Sequence, residues 1–310
     1  MRSLGRRRGS GRLVAALAVI VAFLLVFHRA VPNTVGRLGS LVETFLPWLG
    51  LTIPPLFALA WWRRSRLAAL AALLPLVAWL AVFGGHLLPR DDAPYDLTVV
   101  QHNVSDENRD PAGTARALAA ARPDLIALEE LTPAALPAYA AALPAEYAHH
   151  TVQGTVGLWS RFPLSGARLV DIRPRAFGAD WNRGLRAVAA TPGGDVAVYV
   201  AHLPSVRIGP GGFGSAPRDE SARRLGAVLA AEPLPEVIVM GDLNLTVDDR
   251  GLAALGPLTT ARSTFAFSWP ARAPVARIDQ VLGRSVTVTE LRTLPATGSD
   301  HRPIAARIRL

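Results

Sequence analysis

Cysteine is missing from the chain, which excludes disulfides, thiolate metal sites and a cysteine nucleophile together. Acidic residues are almost missing from the first ninety positions, where Glu43 is the one carboxylate against eleven arginines. From residue 91 onward the balance reverses, with twenty-two arginines against twenty-three acids, one negative charge net. The formal charge of +9 therefore belongs to the front of the chain. Affinity for nucleic acid needs clustered cations that neutralise phosphates. The high overall basicity is thus no evidence for a DNA substrate. No internal repeat is present either.

What the chain has in excess is apolar side chains, 50% of all residues, in 310 residues that leave room for about two folding units. The excess sits in three runs, at about 13–29, 45–62 and 67–84, each close to the ~20 residues that cross a bilayer. Arg2, Arg6, Arg7, Arg8 and Arg12 precede the first run, as in a signal peptide, but no small-x-small cleavage site follows it. Pro47, Pro54 and Pro55 interrupt the second run, and Trp48, Trp61 and Trp62 sit near its ends, where aromatic rings prefer the interface. The arginine cluster and the turn Arg63-Arg64-Ser65-Arg66 are expected in the cytoplasm, which puts everything after about Gly85 outside it. The expected organisation is a membrane region over 1–85, a linker over 86–95 and a second domain over 96–310. A small transporter has little support, because the spans carry no charge at mid-membrane.

In the second domain, short apolar runs predict strands at 97–101, 125–128, 156–160, 184–190, 196–201 and 236–240. Further strands are expected at 277–282, around 286–294 and up to the final residue. Asp110-Pro111 and Thr132-Pro133 mark helix starts, and a third helix is expected over 217–231. Residues 203–217, rich in Gly and Pro, read as a long surface loop. Many strands with few, dispersed helices predict packed sheets with helices outside.

Polar residues follow these strands with unusual regularity: Asn103, Glu130, His202, Asp242, Asn244, Asp279, Asp300 and His301. Each has a plain structural explanation. Asp242 and Asn244 are ordinary turn residues, His202 could be a satisfied core histidine, and Asp279 could pair with Arg277. Eight such positions at successive strand ends favour one shared cleft.

The segments Gln-His-Asn-Val, Leu-Ile-Ala-Leu-Glu-Glu, Gly-Leu-Trp-Ser-Arg-Phe-Pro, Ala-His-Leu, Gly-Asp-Leu-Asn, Arg-Ile-Asp-Gln-Val and Ser-Asp-His-Arg-Pro occur in that order. Together they resemble the motifs of the endonuclease/exonuclease/phosphatase superfamily, with its deoxyribonuclease-I-like fold, and the three-span front is similar to a membrane-anchored bacterial branch of it. The resemblance covers about 96–310. It implies an α+β fold, a four-layer αββα sandwich of two packed mixed sheets flanked by helices, after three membrane helices. It also implies that Asn103, Glu130 and Asp300 hold a divalent cation and that Asp242 and Asn244 position the attacking water. His301, oriented by Asp279, would contact the scissile phosphate or serve as the base in place of Asp242, and His202 would bind the phosphate from the other side. Arg161 and Arg186 are candidate substrate contacts, with surface ion pairs as the competing role. One departure is visible: the usual Leu-Gln-Glu reads Leu-Glu-Glu here, which adds Glu129.

Carboxylates and amides without thiolates suit a hard cation, so Mg²⁺ is expected and Mn²⁺ is an alternative. The expected function is a membrane-anchored, metal-dependent phosphoesterase that hydrolyses a phosphodiester or phosphomonoester. Its expected partners are the lipid bilayer and a phosphoester substrate (lipid head group, small phosphodiester or nucleic acid), with no protein partner inferred. The alternatives are an extracytoplasmic nuclease and a non-catalytic binding module that keeps the fold.

Overall fold

The computed structural model describes residues 2–88, 93–261 and 264–310. Residues 89–92 of the expected linker lie outside the described residues, as do the side chains of Arg2, Arg6, Arg7 and Arg8. The chain forms two compact units, Met1–Pro89 and Arg90–Leu310.

The first unit is helical: α1 (Arg2–Phe27), α2 (Leu38–Thr44), α3 (Ile53–Trp62) and α4 (Arg66–Phe83). Two helical stretches, Gly11–Ala30 and Arg66–Leu87, are long and apolar enough to cross a membrane. The second apolar run is not one straight helix. Leu38–Thr44 and Leu46–Trp62 are bent by 74°, so a third crossing exists only if this pair counts as one span. Pro47 explains the break, since proline lacks an N–H and keeps the residue before it from joining a regular α-helix.

The second unit runs β1 (Leu97–Asn103), α5 (Pro111–Ala119), β2 (Leu125–Glu129), α6 (Leu136–Ala142), β3 (His149–Gln153), β4 (Val156–Ser160) and β5 (Leu164–Leu169). It continues with β6 (Gly184–Thr191), β7 (Gly194–Ala201), β8 (Ile208–Gly209), β9 (Gly212–Phe213), α7 (Ala216–Ala230) and β10 (Val237–Asp242). The last strands are β11 (Asp279–Arg284), β12 (Thr287–Thr293) and β13 (Ile304–Arg309). One sheet has the order β12-β13-β1-β2-β4-β3 and the other β11-β10-β7-β6-β5. Both are mixed, with β1 and β2 parallel in the first and β7 and β10 parallel in the second.

The alternation of side chains explains the layering. In β10, Ile238 and Met240 enter the core between the sheets, while Val237 and Val239 pack outward with Leu225 and Leu229 of α7. Val100, Ile126 and Leu128 likewise pack outward from the first sheet with Leu118 of α5 and Tyr139 of α6. The result is an αββα sandwich. Both faces of each central strand are buried, which is why these strands read as continuous apolar runs. Asp110 caps α5 as its position before Pro111 predicts, its Oδ1 accepting the Gly113 N–H at 2.8 Å.

The expected loop at 203–217 contains the small β8–β9 hairpin and ends in the first residues of α7. Phe213 is buried there, with the Arg218 guanidinium 6.0 Å from its ring centroid.

Candidate active site

Sheet register carries the polar strand ends to one edge of the sandwich. The parallel pair β1–β2 aligns Asn103 with Glu129, and β10–β11 aligns Asp242 with Asp279. β6–β7 aligns Gly184 with Ala201, so Arg183 and His202 lie just beyond the same end. β13 begins beside Gln101, which brings 299–301 there as well. Gly241 lets β10 approach closely, because a Cβ at that position would stand 1.9 Å from the Ala201 carbonyl oxygen.

Asp242 is the point of convergence. Its Oδ2 accepts a hydrogen bond from Asn103 Nδ2 at 3.1 Å. The same oxygen lies 3.5 Å from His202 Nε2 and 3.8 Å from His301 Nε2. Its Oδ1 accepts the Asn244 backbone N–H at 3.0 Å. Burial pushes the Asp242 carboxyl up to about 7, with repulsion from Asp279 adding to the effect against the pull of His301.

The two histidines differ in charge. Asp279 Oδ2 accepts from His301 Nδ1 at 2.8 Å and from Ser268 Oγ at 2.5 Å. Burial alone would lower His301, but Asp279 and Asp242 outweigh it and raise the imidazole to about 10, so it is an imidazolium at neutral pH. Asp279 is held below its usual range: burial opposes this, but the charge and hydrogen bond of His301 prevail. Burial drives His202 far below the usual imidazole range, with Arg183 acting the same way. Arg183 Nη1 lies 3.0 Å from His202 Nδ1 and 3.3 Å from Nε2, so a fixed cation faces the neutral ring.

Glu130 completes the cluster. Its Oε1 accepts from Asn103 Nδ2 at 3.1 Å and lies 3.8 Å from His202 Nε2. Its Oε2 accepts the Asp106 backbone N–H at 3.2 Å. Glu130 and Asn244 both hold a left-handed backbone, at φ 60 and 50. That conformation is strained for residues other than glycine, and such strain concentrates at functional sites. Asn103 offers its N–H groups to both carboxylates, while its Oδ1 accepts the Ser105 N–H at 3.0 Å.

The structure thus joins Asn103, Glu130, His202, Asp242, Asn244, Asp279 and His301 by direct contacts. Asp300 is adjacent in sequence but exposed, and its Oδ2 accepts a long 3.4 Å bond from Trp269 Nε1. Asp242, Asp279 and His301 place one ligand atom each within 4.8 Å of one another, a spacing that could hold a metal ion. Asp279 and His301 are at the same time hydrogen-bonded to each other at 2.8 Å.

Two expectations are corrected. Arg161 follows β4 at the end that pairs with Leu125, opposite the cleft, and lies near Asp124 at 3.6 Å and Glu146 at 3.9 Å. Arg186 is buried against Glu232, its Nη2 donating at 2.8 Å, so its charge is used inside the fold. Neither arginine contacts the cleft.

Two residues of the cleft escaped the sequence reading. Gln101 shares a strand face with Asn103 two positions on, and its Nε2 bridges Glu129 Oε2 at 2.7 Å and Asp279 Oδ1 at 3.0 Å. Arg183 stands just before a strand, and an antiparallel pairing with the strand before His202 is the signal that would have found it.

Fold and cleft define a two-sheet sandwich with a carboxylate–imidazole site at one end of its central strands. The chain belongs to the Endonuclease/Exonuclease/phosphatase family, whose model matches residues 100–301. It is similar in fold to sphingomyelinase C from Streptomyces griseocarneus, at 22% identity and TM-score 0.51, covering 69% of this chain and 99% of that one. A D. rerio TDP2 complexed with single-strand DNA product aligns at 18% identity and TM-score 0.54, over 69% and 99% of the two chains. A Staphylococcus aureus beta toxin variant with bound magnesium ions aligns at 17% and 0.54, over 68% and 99%. No curated protein matches the sequence.

Proposed function

We propose that the protein is a membrane-anchored, divalent-metal-dependent phosphoesterase whose second unit hydrolyses a phosphodiester or phosphomonoester by attack of an activated water. One observation carries the reading: a single buried carboxylate oxygen, Asp242 Oδ2, has the Asn103 amide and two imidazoles of opposite protonation state around it. Such a carboxylate suits a general base, and an imidazolium fixed by a carboxylate suits charge that develops on phosphate.

In this assignment Asp242 takes the proton of the attacking water. The Asn244 amide is fixed for positioning it by its Nδ2, which donates to the Leu203 carbonyl at 3.0 Å. His301, held by Asp279, faces the phosphoryl oxygens, and His202 faces them from the other side.

The donor set fits a hard divalent cation. Glu130, Asp242 and Asp279 bring three carboxylates to one cleft, and the upward shift of Asp242, driven first by burial, is one that a bound cation would reverse. Glu130 would hold it, with the Asn103 amide turned so that Oδ1 and not Nδ2 meets the ion, and Asp300, exposed beside His301 in sequence, is the third expected ligand. A bound Mg²⁺ supplies polarisation of a phosphoryl oxygen and stabilisation of the leaving group. The magnesium in the related beta toxin supports this ion over Mn²⁺.

The near-neutral second unit and the apolar first unit favour a lipid head group or small phosphodiester over bulk duplex DNA. Arginine placement favours an extracytoplasmic second unit, which protease treatment of intact cells tests. Full-length protein in detergent, given Mg²⁺, should be assayed on sphingomyelin, glycerophospholipids, inositol phosphates and plasmid DNA. Turnover of a small or lipid phosphoester with loss on chelation is expected. Cleavage of DNA alone would replace this substrate class with a nuclease, and no turnover of any would leave a binding module.

A further inference from the structure

The corner between α3 and α4 encloses an open cleft of about 710 Å³, with Phe57, Ala60 and Trp61 on one side and Ala69 on the other. Its polar end is formed by Arg64 and Arg66. Clefts of this volume are in the range that holds small molecules. Apolar walls ending in two guanidinium groups are complementary to a molecule with a hydrocarbon body and an anionic head.

The corner is built, not incidental. Ser65 N–H donates to the Ala60 carbonyl at 3.0 Å and Arg64 N–H to that of Trp61 at 2.9 Å. Ser65 Oγ caps α4 by accepting the Ala68 N–H at 3.2 Å. The backbone of the turn is thereby satisfied, while the Arg64 and Arg66 side chains stay exposed. Glu43, the one acid in the first ninety residues, is fully buried, and no described carboxylate pairs with Arg64 or Arg66. α1 comes close at the same corner, since a Cβ on Gly11 would stand 2.6 Å from Ser65 Oγ, and the neighbouring Arg12 is exposed there.

Depth is given by the aromatics. Trp61 and Trp62 are 87% and 73% exposed at the end of α3, with the Arg63 guanidinium 4.9 Å from the Trp62 ring centroid. Exposed tryptophans beside arginines mark the headgroup level of a bilayer.

We infer that this cleft binds one anionic phospholipid, its phosphate on Arg64 and Arg66 and an acyl chain along Phe57, Ala60 and Ala69. The inference rests on the membrane reading of the first unit and is independent of the phosphoester chemistry. Zwitterionic lipids carry their own cation at the head, so they gain less from the two arginines.

Native mass spectrometry of the full chain, purified with equimolar phosphatidylglycerol and phosphatidylcholine, tests it. Each arginine near an anionic head strengthens binding about fivefold, so a preference of about 25-fold for one phosphatidylglycerol per chain is expected. Arg64→Gln/Arg66→Gln should lose the preference, and Ala69→Phe, which fills the cleft and keeps the charge, should lose retention of both lipids. Excess sn-glycerol 3-phosphate should not compete. Equal retention of both lipids by the parent, unchanged retention in either variant, or competition by the soluble head group overturns the inference. A chain that stays soluble without detergent would instead overturn the membrane reading itself.

Discussion

Asp242 and His301 each set one limb of the pH profile. A base must be ionised, and Asp242 sits at about 7 without a cation, so activity should rise through neutral pH. An imidazolium must keep its proton, and His301 does so up to about 10, above which activity should fall. A bell-shaped profile of kcat/KM is expected, and raising Mg²⁺ from limiting to saturating should move the acid limb to lower pH, because the cation competes with the Asp242 proton. Asp242→Ala and His301→Ala should each reduce kcat by about 10²–10⁴ with the fold retained, the usual scale of positioned acid–base groups. Parent-like turnover in both would end the catalytic assignment. Glu129 behaves differently. Burial, reinforced by Asp279, raises its carboxyl well above the usual range, which favours the protonated form, and its Oε2 accepts from Gln101 Nε2 as a glutamine carbonyl would. Glu129→Gln should therefore leave activity within about twofold, a near-isosteric swap. The sign for stability also follows: a raised folded pKa means full stability below its unfolded value of 4.5, lost as pH rises through the folded value. The urea midpoint should fall more between pH 5 and pH 9 in the parent than in Glu129→Gln.

At the level of elements, the site depends on how α7 grips the end of β10. Arg218 in α7 is fully buried, donates from Nη1 to the Asn244 carbonyl at 2.9 Å, and pairs through Nη2 with Asp219 at 2.7 Å and Asp249 at 2.9 Å. Removing one partner of a buried pair strands the other charges, at a cost of about 3–5 kcal/mol. Arg218→Ala should lower stability by that amount in urea denaturation. It should lower kcat more than it raises KM, since it frees Asn244 without touching the rest of the cleft. The same scale shows what the sequence made legible. Central strands such as β10 and β2 are apolar on both faces and were readable from Val-Ile-Val-Met and Leu-Ile-Ala-Leu. β3 and β5 were missed because each is the edge of its sheet, with no fully buried side chain, and β5 is further broken by an irregular register between Ser165 and Arg168. Seven cleft residues could be named from their places after apolar runs. Arg161 and Arg186 misled because an arginine beside a strand looks the same whether it meets a phosphate or a carboxylate. The partners Asp124 and Glu232 are distant in sequence and only the folded chain reveals them.

For the whole molecule, the exposed apolar side chains decide the setting. Of twenty-four large apolar residues exposed among those described, twenty fall within residues 13–88 and four in the second unit. So dense a set is the observation behind the proposal that the first unit lies in lipid. The second unit carries one negative charge overall, which removes the electrostatic drive for long polyanions. An enzyme tethered beside its substrate gains effective concentration, which for a short tether raises apparent affinity by about 10²–10⁴. Reconstituted in vesicles, the full chain should therefore turn over a phospholipid in its own bilayer with kcat/KM about a hundredfold above that for a short-chain, water-soluble analogue. In detergent solution, where the tether holds no substrate nearby, the two values should converge. Equal values in vesicles, or rapid cleavage of added single-stranded DNA with the lipid untouched, would mean that the anchor positions the protein for a soluble substrate and that the bilayer is only its address.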